Sequence, residues 1–161
     1  MDRSGMVRFI VIIYHFTIVY ADYQGDALSA LKQALDDPNG VLSSWDNTLI
    51  DPSTWFYITW NHTTKGVERI DLGNTNLSGP LVQELGKLDK LMYLELYGNN
   101  INGSIPKELG NLANLVNLDL YNNNLTGPIP GELGKLNLSL LRNISNNPDL
   151  CTDFTDPPCP K

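Results

Sequence analysis

The stretch LMYLELYGNNINGSIPKELGNLAN, residues 91–114, decides the fold, because two further copies of it flank it without a gap. Residues 67–90 and 115–138 carry the same residue types at a spacing of 24 residues. The shared columns hold apolar residues, asparagine, glycine and glutamate: Ile70/Leu94/Leu118, Leu72/Leu96/Leu120, Asn76/Asn100/Asn124, Gly79/Gly103/Gly127 and Glu84/Glu108/Glu132. Three agreeing copies predict stacked units that bury their apolar faces against one another.

Each copy opens with a short alternation of apolar and polar residues. Leu94 and Leu96 alternate with Tyr93 and Glu95, a period of two that predicts a half-buried strand. The asparagine that follows, Asn100 in this copy, is predicted to be buried and to bond backbone groups at the turn. The spacing L-x-x-L-x-L-x-x-N-x-L is the leucine-rich-repeat signature. We therefore predict an α/β leucine-rich-repeat solenoid, a short right-handed coil with a parallel sheet on its concave face.

The segment before the repeats divides into two parts. Residues 1–21 are predicted to be a cleaved signal peptide, because Arg3 and Arg8 precede an apolar run of 12 residues, too short to span a bilayer. An uncleaved anchor or a buried core segment are the alternatives. Residues 22–66 are predicted to form an N-terminal cap, with a helix that carries Leu28, Leu31 and Leu35 at helical spacing.

The segment after the repeats, residues 139–161, is predicted to hold a degenerate fourth repeat and a C-terminal cap. Ser139 and Arg142 stand where leucine is due. Cys151 and Cys159 are the only cysteines and are close enough in sequence to form a disulfide in an oxidising compartment. A zinc site is the poorer interpretation, because no histidine or further cysteine stands nearby.

The charge of the chain argues against two classes of partner. The chain has 11 basic and 18 acidic residues, a net charge of −7. Without residues 1–21, 9 basic and 17 acidic residues remain. Binding to nucleic acid or to an anionic membrane surface requires a basic face, which this balance does not favour. No cofactor and no metal site are predicted.

Several motifs resemble the extracellular domain of plant somatic embryogenesis receptor kinases and the short secreted leucine-rich-repeat proteins of plants that lack a kinase. They are GDAL at 25–28, VLSSWD at 41–46, TWF at 54–56, IDLGN at 70–74, YLELY at 93–97, NLDLY at 117–121 and NNPDLC at 146–151. The resemblance implies a secreted, apoplastic protein-binding module without enzymatic activity, in cell-surface signalling or defence. Its implied partner is a plasma-membrane receptor-kinase ectodomain or a peptide ligand.

Two departures from that family stand out. Ser53 and Trp60 replace the paired cysteines of the family's N-terminal cap, a bridge typically worth about 2–5 kcal/mol. Trp60 is also expected to overpack the space of a sulfur, at a cost of about 1–3 kcal/mol. The family has more repeats than the three found here. A truncated gene product without independent function and a hydrolase inhibitor of the leucine-rich-repeat kind are therefore alternative interpretations.

The predicted partner-binding residues come from the strand alternation and from the resemblance: Phe56, Tyr57, Tyr93, Glu95, Tyr97, Asp119 and Tyr121. Tyrosines suit an interface, and the alternative is that they only pack adjacent strands together. The column formed by Asp71, Glu95 and Asp119 is expected to suit a basic partner, with solvated carboxylates or a weak calcium site as the alternatives. Of six Asn-x-Ser/Thr triplets, those at Asn61, Asn102 and Asn137 are predicted to carry glycans, whereas Asn76 and Asn124 are expected to be buried.

Overall fold

The structure is a computed structural model that describes residues 24–46, 52–136 and 144–151. The predicted signal peptide lies outside the described residues, and so do Asn137, Cys159 and most of the segment 139–161.

The described chain consists of one α-helix followed by short strands and single turns of 3-10 helix. Helix α1 covers residues 24–34. The strands are β1 (Ile58–Asn61), β2 (Gly66–Asp71), β3 (Ser78–Pro80), β4 (Tyr93–Glu95), β5 (Asn100–Gly103), β6 (Asn117–Asp119), β7 (Asn124–Pro128) and β8 (Asp149–Cys151). The 3-10 helices are Pro52–Thr54, Gln83–Lys87, Lys107–Asn111 and Gly131–Lys135.

The strands form two sheets, of which the first confirms the predicted parallel pairing. Its order is β1-β2-β4-β6, and Ile70, Leu94 and Leu118 are direct partners across the parallel strands β2, β4 and β6. Strand β1 joins the edge of β2 in the antiparallel sense. The second sheet, β3-β5-β7-β8, is wholly parallel. Its strands β3, β5 and β7 include the repeated glycines Gly79, Gly103 and Gly127.

The core lies between the two sheets and the 3-10 helices, and the repeated apolar columns fill it. Leu72, Leu96 and Leu120 are fully buried, as are Leu77, Ile101 and Leu125. Each such side chain contributes about 1.5–3 kcal/mol by leaving water. Because successive repeats supply neighbouring members of each column, the apolar core is continuous through the described repeats.

The asparagines that support the turns are not those predicted. Asn99, Asn123 and Asn147 are buried, whereas Asn76, Asn100 and Asn124 are exposed. The Asn99 amide nitrogen donates to the carbonyls of Leu72 and Leu96 at 2.7 and 2.9 Å, and Asn123 and Asn147 repeat this pattern one and two coils later.

The buried asparagine column was misassigned because its first member is not an asparagine. In the first repeat the column holds Thr75, whose hydroxyl donates to the Leu72 carbonyl at 2.7 Å in place of an amide. Asparagine recurs in all three repeats only in the next column, Asn76, Asn100 and Asn124, which is exposed. Counting L-x-x-L-x-L-x-x-N from Leu91 ends on Asn99, so the correct position was present in the sequence.

The N-terminal segment attaches to the first repeat through backbone and side-chain bonds. The side-chain oxygen of Gln24 in α1 accepts from the Val67 N–H at 2.7 Å. Asp36 and Ser78 exchange two backbone hydrogen bonds, of 2.8 and 3.2 Å. Leu28, Leu31 and Leu35 are buried, as their spacing predicted.

The two tryptophans of this segment stack, and Trp60 lies apart from them. The ring centroids of Trp45 and Trp55 are 5.8 Å apart with an interplanar angle of 22°. Trp60 is only half-buried at the edge of the core and follows an irregularity in the pairing of β1. Trp60 therefore packs against the edge of the core and does not take up a fully buried position, which is where overpacking was expected.

The 24-residue spacing continues past the third repeat. Ile144 is buried at the position equivalent to Leu96 and Leu120, and Asn147 accepts from the Leu125 N–H at 3.0 Å. The loss of register expected from Ser139 and Arg142 does not extend to these two positions.

Candidate functional site

The solvent-facing side of the first sheet collects most of the predicted binding residues, and we call it the tyrosine face. Residues that pair directly across β2, β4 and β6 form columns that run across the strands. Side chains of neighbouring strands within a column are about 4.8 Å apart. The tyrosine face consists of Arg69, Tyr93 and Asn117, then Asp71, Glu95 and Asp119, then Gly73, Tyr97 and Tyr121.

An ion pair occupies the centre of the tyrosine face. The Arg69 guanidinium donates to Glu95 at 2.8 Å, and the two side chains retain 35% and 17% of their exposure. The same guanidinium lies 4.1 Å from the centroid of the Tyr93 ring, a cation–π distance. Asn117 adds a longer bond of 3.4 Å to Glu95. These contacts hold Tyr93 and Glu95 in place, so both pack adjacent strands together.

The other two carboxylates of the tyrosine face are more open. Asp71 is exposed, and no side chain of the described residues hydrogen-bonds its carboxylate. Asp119 accepts from the backbone N–H of Tyr121 at 3.1 Å. Because Asp71, Glu95 and Asp119 are direct partners across the strands, three like charges share one column and only the central one is paired.

Tyr97 and Tyr121 have different surroundings although they occupy the same column. The Tyr97 ring covers Gly73 so closely that an added Cβ would come within 2.3 Å of the ring. Tyr121 is 46% exposed. Tyr97 therefore packs against the neighbouring repeat, whereas the Tyr121 ring is exposed to solvent.

Phe56 and Tyr57 lie beside the same sheet and are held through their backbones. The Phe56 carbonyl accepts from the Trp45 indole N–H at 2.8 Å, and the Tyr57 carbonyl accepts from the Asp71 N–H at 2.9 Å. The side chains of Phe56 and Tyr57 are 68% and 44% exposed. Tyr57 has a φ of 67°, which is uncommon for an aromatic residue. The fixed backbone leaves two large aromatic side chains exposed to water, and it joins Tyr57 to Asp71, the first carboxylate residue of the tyrosine face.

Sequence analysis overlooked one exposed apolar residue, Val116, which is 50% exposed. An apolar residue beside a strand suggests core, but its equivalent in the first repeat is the charged Glu68. That comparison was available in the sequence. The pairing of Arg69 with Glu95 was not, because it depends on the contact between two repeats.

The predicted glycan carriers differ in their contacts. Asn61 is half-buried, its amide donates to Glu68, and its side-chain oxygen accepts from the N–H groups of Thr63 and Thr64 at 2.9 and 3.0 Å. Asn102 is exposed on β5. Cys151 is disulfide-bonded, and Cys159, its predicted partner, lies outside the described residues.

The described residues contain neither a metal-binding cluster nor a membrane-spanning helix. Within 24–46, 52–136 and 144–151, no group of three or more histidine, cysteine, aspartate or glutamate side chains is arranged to hold a metal ion. In the same part of the chain, no helix has the length and apolar character to cross a membrane.

Comparisons with known proteins agree with this architecture. Residues 21–59 match the family model of the leucine rich repeat N-terminal domain, and residues 90–112 and 114–136 match the Leucine Rich Repeat model. The chain is therefore a leucine-rich-repeat protein.

Within that class its relatives are plant proteins. It is 54% identical over 93 residues to Leucine-rich repeat protein 1 of Oryza sativa subsp. indica, a match that covers 58% of this chain and 43% of the relative. The chain spans less than half the length of the curated relatives it matches.

Solved structures place it beside plant receptor-kinase ectodomains. The crystal structure of PEPR1-AtPEP1 superposes with a TM-score of 0.65 and 36% identity, covering 70% of this chain and 16% of that chain. The structure of the Arabidopsis receptor kinase HAESA with the peptide hormone IDA and the co-receptor SERK1 gives 0.61 and 35%, covering 79% and 20%. The fold is thus one that receptor-kinase ectodomains use.

Proposed function

We propose that this protein is an extracellular protein-binding module that works like a plant receptor-kinase ectodomain without the kinase, in cell-surface signalling or defence. Its partner is a receptor-kinase ectodomain or a peptide ligand. The observation that carries the proposal is the exposure of Phe56, Tyr57 and Tyr121 along a rigid sheet face. The similar structures whose titles name peptide ligands and a co-receptor support a partner of this kind.

The fixed backbones beside and under the exposed aromatic residues lower the entropic cost of binding a partner. Aromatic side chains supply a large contact area at a low cost in conformational entropy, and a few of them carry most of the energy of a protein interface. The backbones of Phe56 and Tyr57 are already fixed by Trp45 and Asp71, so a partner does not have to order them. The sheet under Tyr121 is held by the buried asparagine bonds.

We also propose the domain bounds of the chain and its secretion from the cell. Residues 1–21 act as a signal peptide, 22–66 as an N-terminal cap, 67–138 as three repeats of a right-handed coil, and 139–161 as a degenerate repeat with a disulfide cap. The bonds of α1 and Asp36 to the first repeat support the first cap. The disulfide-bonded state of Cys151 supports the second cap and an oxidising compartment.

The test is a binding assay with the full chain secreted from plant cells. A panel of plant receptor-kinase ectodomains is immobilised, and the affinity of each is measured by biolayer interferometry. We expect at least one specific complex, which Tyr121→Ala weakens about tenfold or more, as for an aromatic that carries interface energy. Val116→Ala is the matched control, because it also truncates an exposed apolar side chain next to β6 but lies in a different column.

Two results would contradict the proposal. One is a folded, secreted chain that binds no ectodomain in the panel. The other is a complex whose affinity is the same in wild type, Tyr121→Ala and Phe56→Ala, each variant being folded by circular dichroism.

A further inference from the structure

The tyrosine face has a charge that its own residues do not neutralise. It carries the three carboxylates of Asp71, Glu95 and Asp119 and one cation, Arg69. That cation already contacts Glu95 at 2.8 Å and the Tyr93 ring at 4.1 Å, so it does not neutralise the outer carboxylates. Asp71 and Asp119 remain as unneutralised charges on either side of a paired centre.

None of the lysines of the described residues is a member of this face, and Lys65 lies in the turn before β2. Lys87, Lys107 and Lys135 are in the 3-10 helices that join the two sheets. Lys32 donates to the Trp45 carbonyl at 2.8 Å, and Lys90 contacts its neighbour Asp89. Among its own residues the tyrosine face therefore has one cation against three carboxylates, so the face is acidic.

We propose that the occupant of the tyrosine face is a basic, extended segment of a partner protein, with one cationic side chain on Asp71 and a second on Asp119. This inference rests on the proposed function and specifies the chemistry of the partner. Charge complementarity favours it, because each cation would meet an unneutralised carboxylate. The backbones of two exposed tyrosines bond the same two aspartates, Tyr57 at Asp71 and Tyr121 at Asp119, so an aromatic residue stands next to each carboxylate in the fold.

The spacing of the two carboxylates restricts the partner further. Asp71 and Asp119 are two strands apart in one column, which corresponds to about 9.6 Å. A polyproline II segment rises about 3.1 Å per residue with three residues per turn, so side chains at i and i+3 point the same way about 9.3 Å apart. Two arginines separated by two residues in such a segment match the pair of carboxylates.

The experiment uses a defined probe, the peptide PRPPRP with blocked ends, and the full chain secreted from plant cells. Two-dimensional NMR of the labelled protein reports which amides shift, and the titration gives a dissociation constant. We expect shifts confined to Tyr57, to β2, β4 and β6, and to the residues that follow these strands. The peptide PEPPEP, with the same backbone and opposite charge, is expected to cause none.

Two variants with the same net charge separate a local site from general attraction. Asp71→Asn with Asp119→Asn removes two carboxylates from the tyrosine face and should weaken the binding of PRPPRP about threefold or more. Glu84→Gln with Glu132→Gln removes two carboxylates from the 3-10 helices and should leave the affinity unchanged. Equal weakening by both pairs, or equal binding of the two peptides, would overturn the inference.

The outcomes also distinguish this inference from the proposed function. If an ectodomain binds with a dependence on Tyr121 but is indifferent to the two aspartate substitutions, the protein-binding function stands and the basic partner is wrong. If PRPPRP binds as expected while no ectodomain does, the receptor-like function is wrong and the cation-binding face remains.

Discussion

Replacing Asn99 by alanine should destabilise the protein far more than replacing its neighbour Asn100. The Asn99 side-chain oxygen accepts from the backbone N–H groups of Thr75 and Leu77 at 3.1 and 3.0 Å. Both residues are buried, and within the described residues Asn99 is the acceptor found for these two N–H groups. Asn100 is exposed and makes one side-chain bond, of 3.4 Å, to Asn76.

The expected loss follows from counting the groups that are left unpaired. The carbonyls of Leu72 and Leu96 lose the Asn99 amide but keep the Thr75 hydroxyl and the Asn123 amide, at 2.7 and 2.9 Å. The two N–H groups lose their only partner, and each buried unsatisfied donor costs about 1–3 kcal/mol. The Asn99→Ala variant should therefore lose about 4 kcal/mol of unfolding free energy, and Asn100→Ala less than about 0.5 kcal/mol.

The assay is urea unfolding followed by tryptophan fluorescence. A loss of about 4 kcal/mol is a large share of the 5–15 kcal/mol typical of a folded domain, so the measurement is made at the temperature of maximum stability. Asn123→Ala is an intermediate variant for comparison, because the Asn123 side-chain oxygen accepts from one backbone donor, Ile101. This variant should lose about half as much unfolding free energy as Asn99→Ala. Equal midpoints for the Asn99 and Asn100 variants, with equal slopes, would refute the reasoning.

Three further predictions concern backbone geometry, modification and the disulfide. Gly79→Ala should cost several kcal/mol in urea unfolding, since φ is +110° and an added Cβ would lie 2.4 Å from the Ala34 carbonyl; Gly131→Ala, with open space around it, should be near neutral. Peptide mapping of the secreted chain should find a glycan on Asn124, which is exposed; an unmodified Asn124 in a glycosylated protein would contradict this. Cys151→Ser should lower the unfolding free energy by about 2.5 kcal/mol, and an unchanged midpoint would exclude a stabilising bridge.

The repeat could be predicted from the sequence because the residue pattern that defines it is local. Alternation of Leu94 and Leu96 with polar residues specifies a strand and its buried face within a few residues, and the 24-residue period then specifies which strands are neighbours. The parallel register of Ile70, Leu94 and Leu118 follows from these two facts alone. Leu28, Leu31 and Leu35 were equally predictable, because helical spacing is local too.

Other features were decided by contacts between residues that lie far apart in the sequence. The second sheet exists because the extended segments around Gly79, Gly103 and Gly127, from successive coils, come within hydrogen-bonding distance. The sequence of any one segment does not indicate this pairing. The supporting asparagine column was misassigned because one member is Thr75, whose hydroxyl replaces an amide only in the folded geometry.

The sequence by itself determined a stack of leucine-rich repeats and the columns of side chains that face solvent. Only the tertiary structure decided which of those side chains are available to a partner. Tyr97 covers Gly73, a residue 24 positions earlier, whereas Tyr121 in the same column is exposed. Whether a repeated residue packs or binds depends on its neighbour one coil away, because stacking brings together residues that local patterns treat as independent.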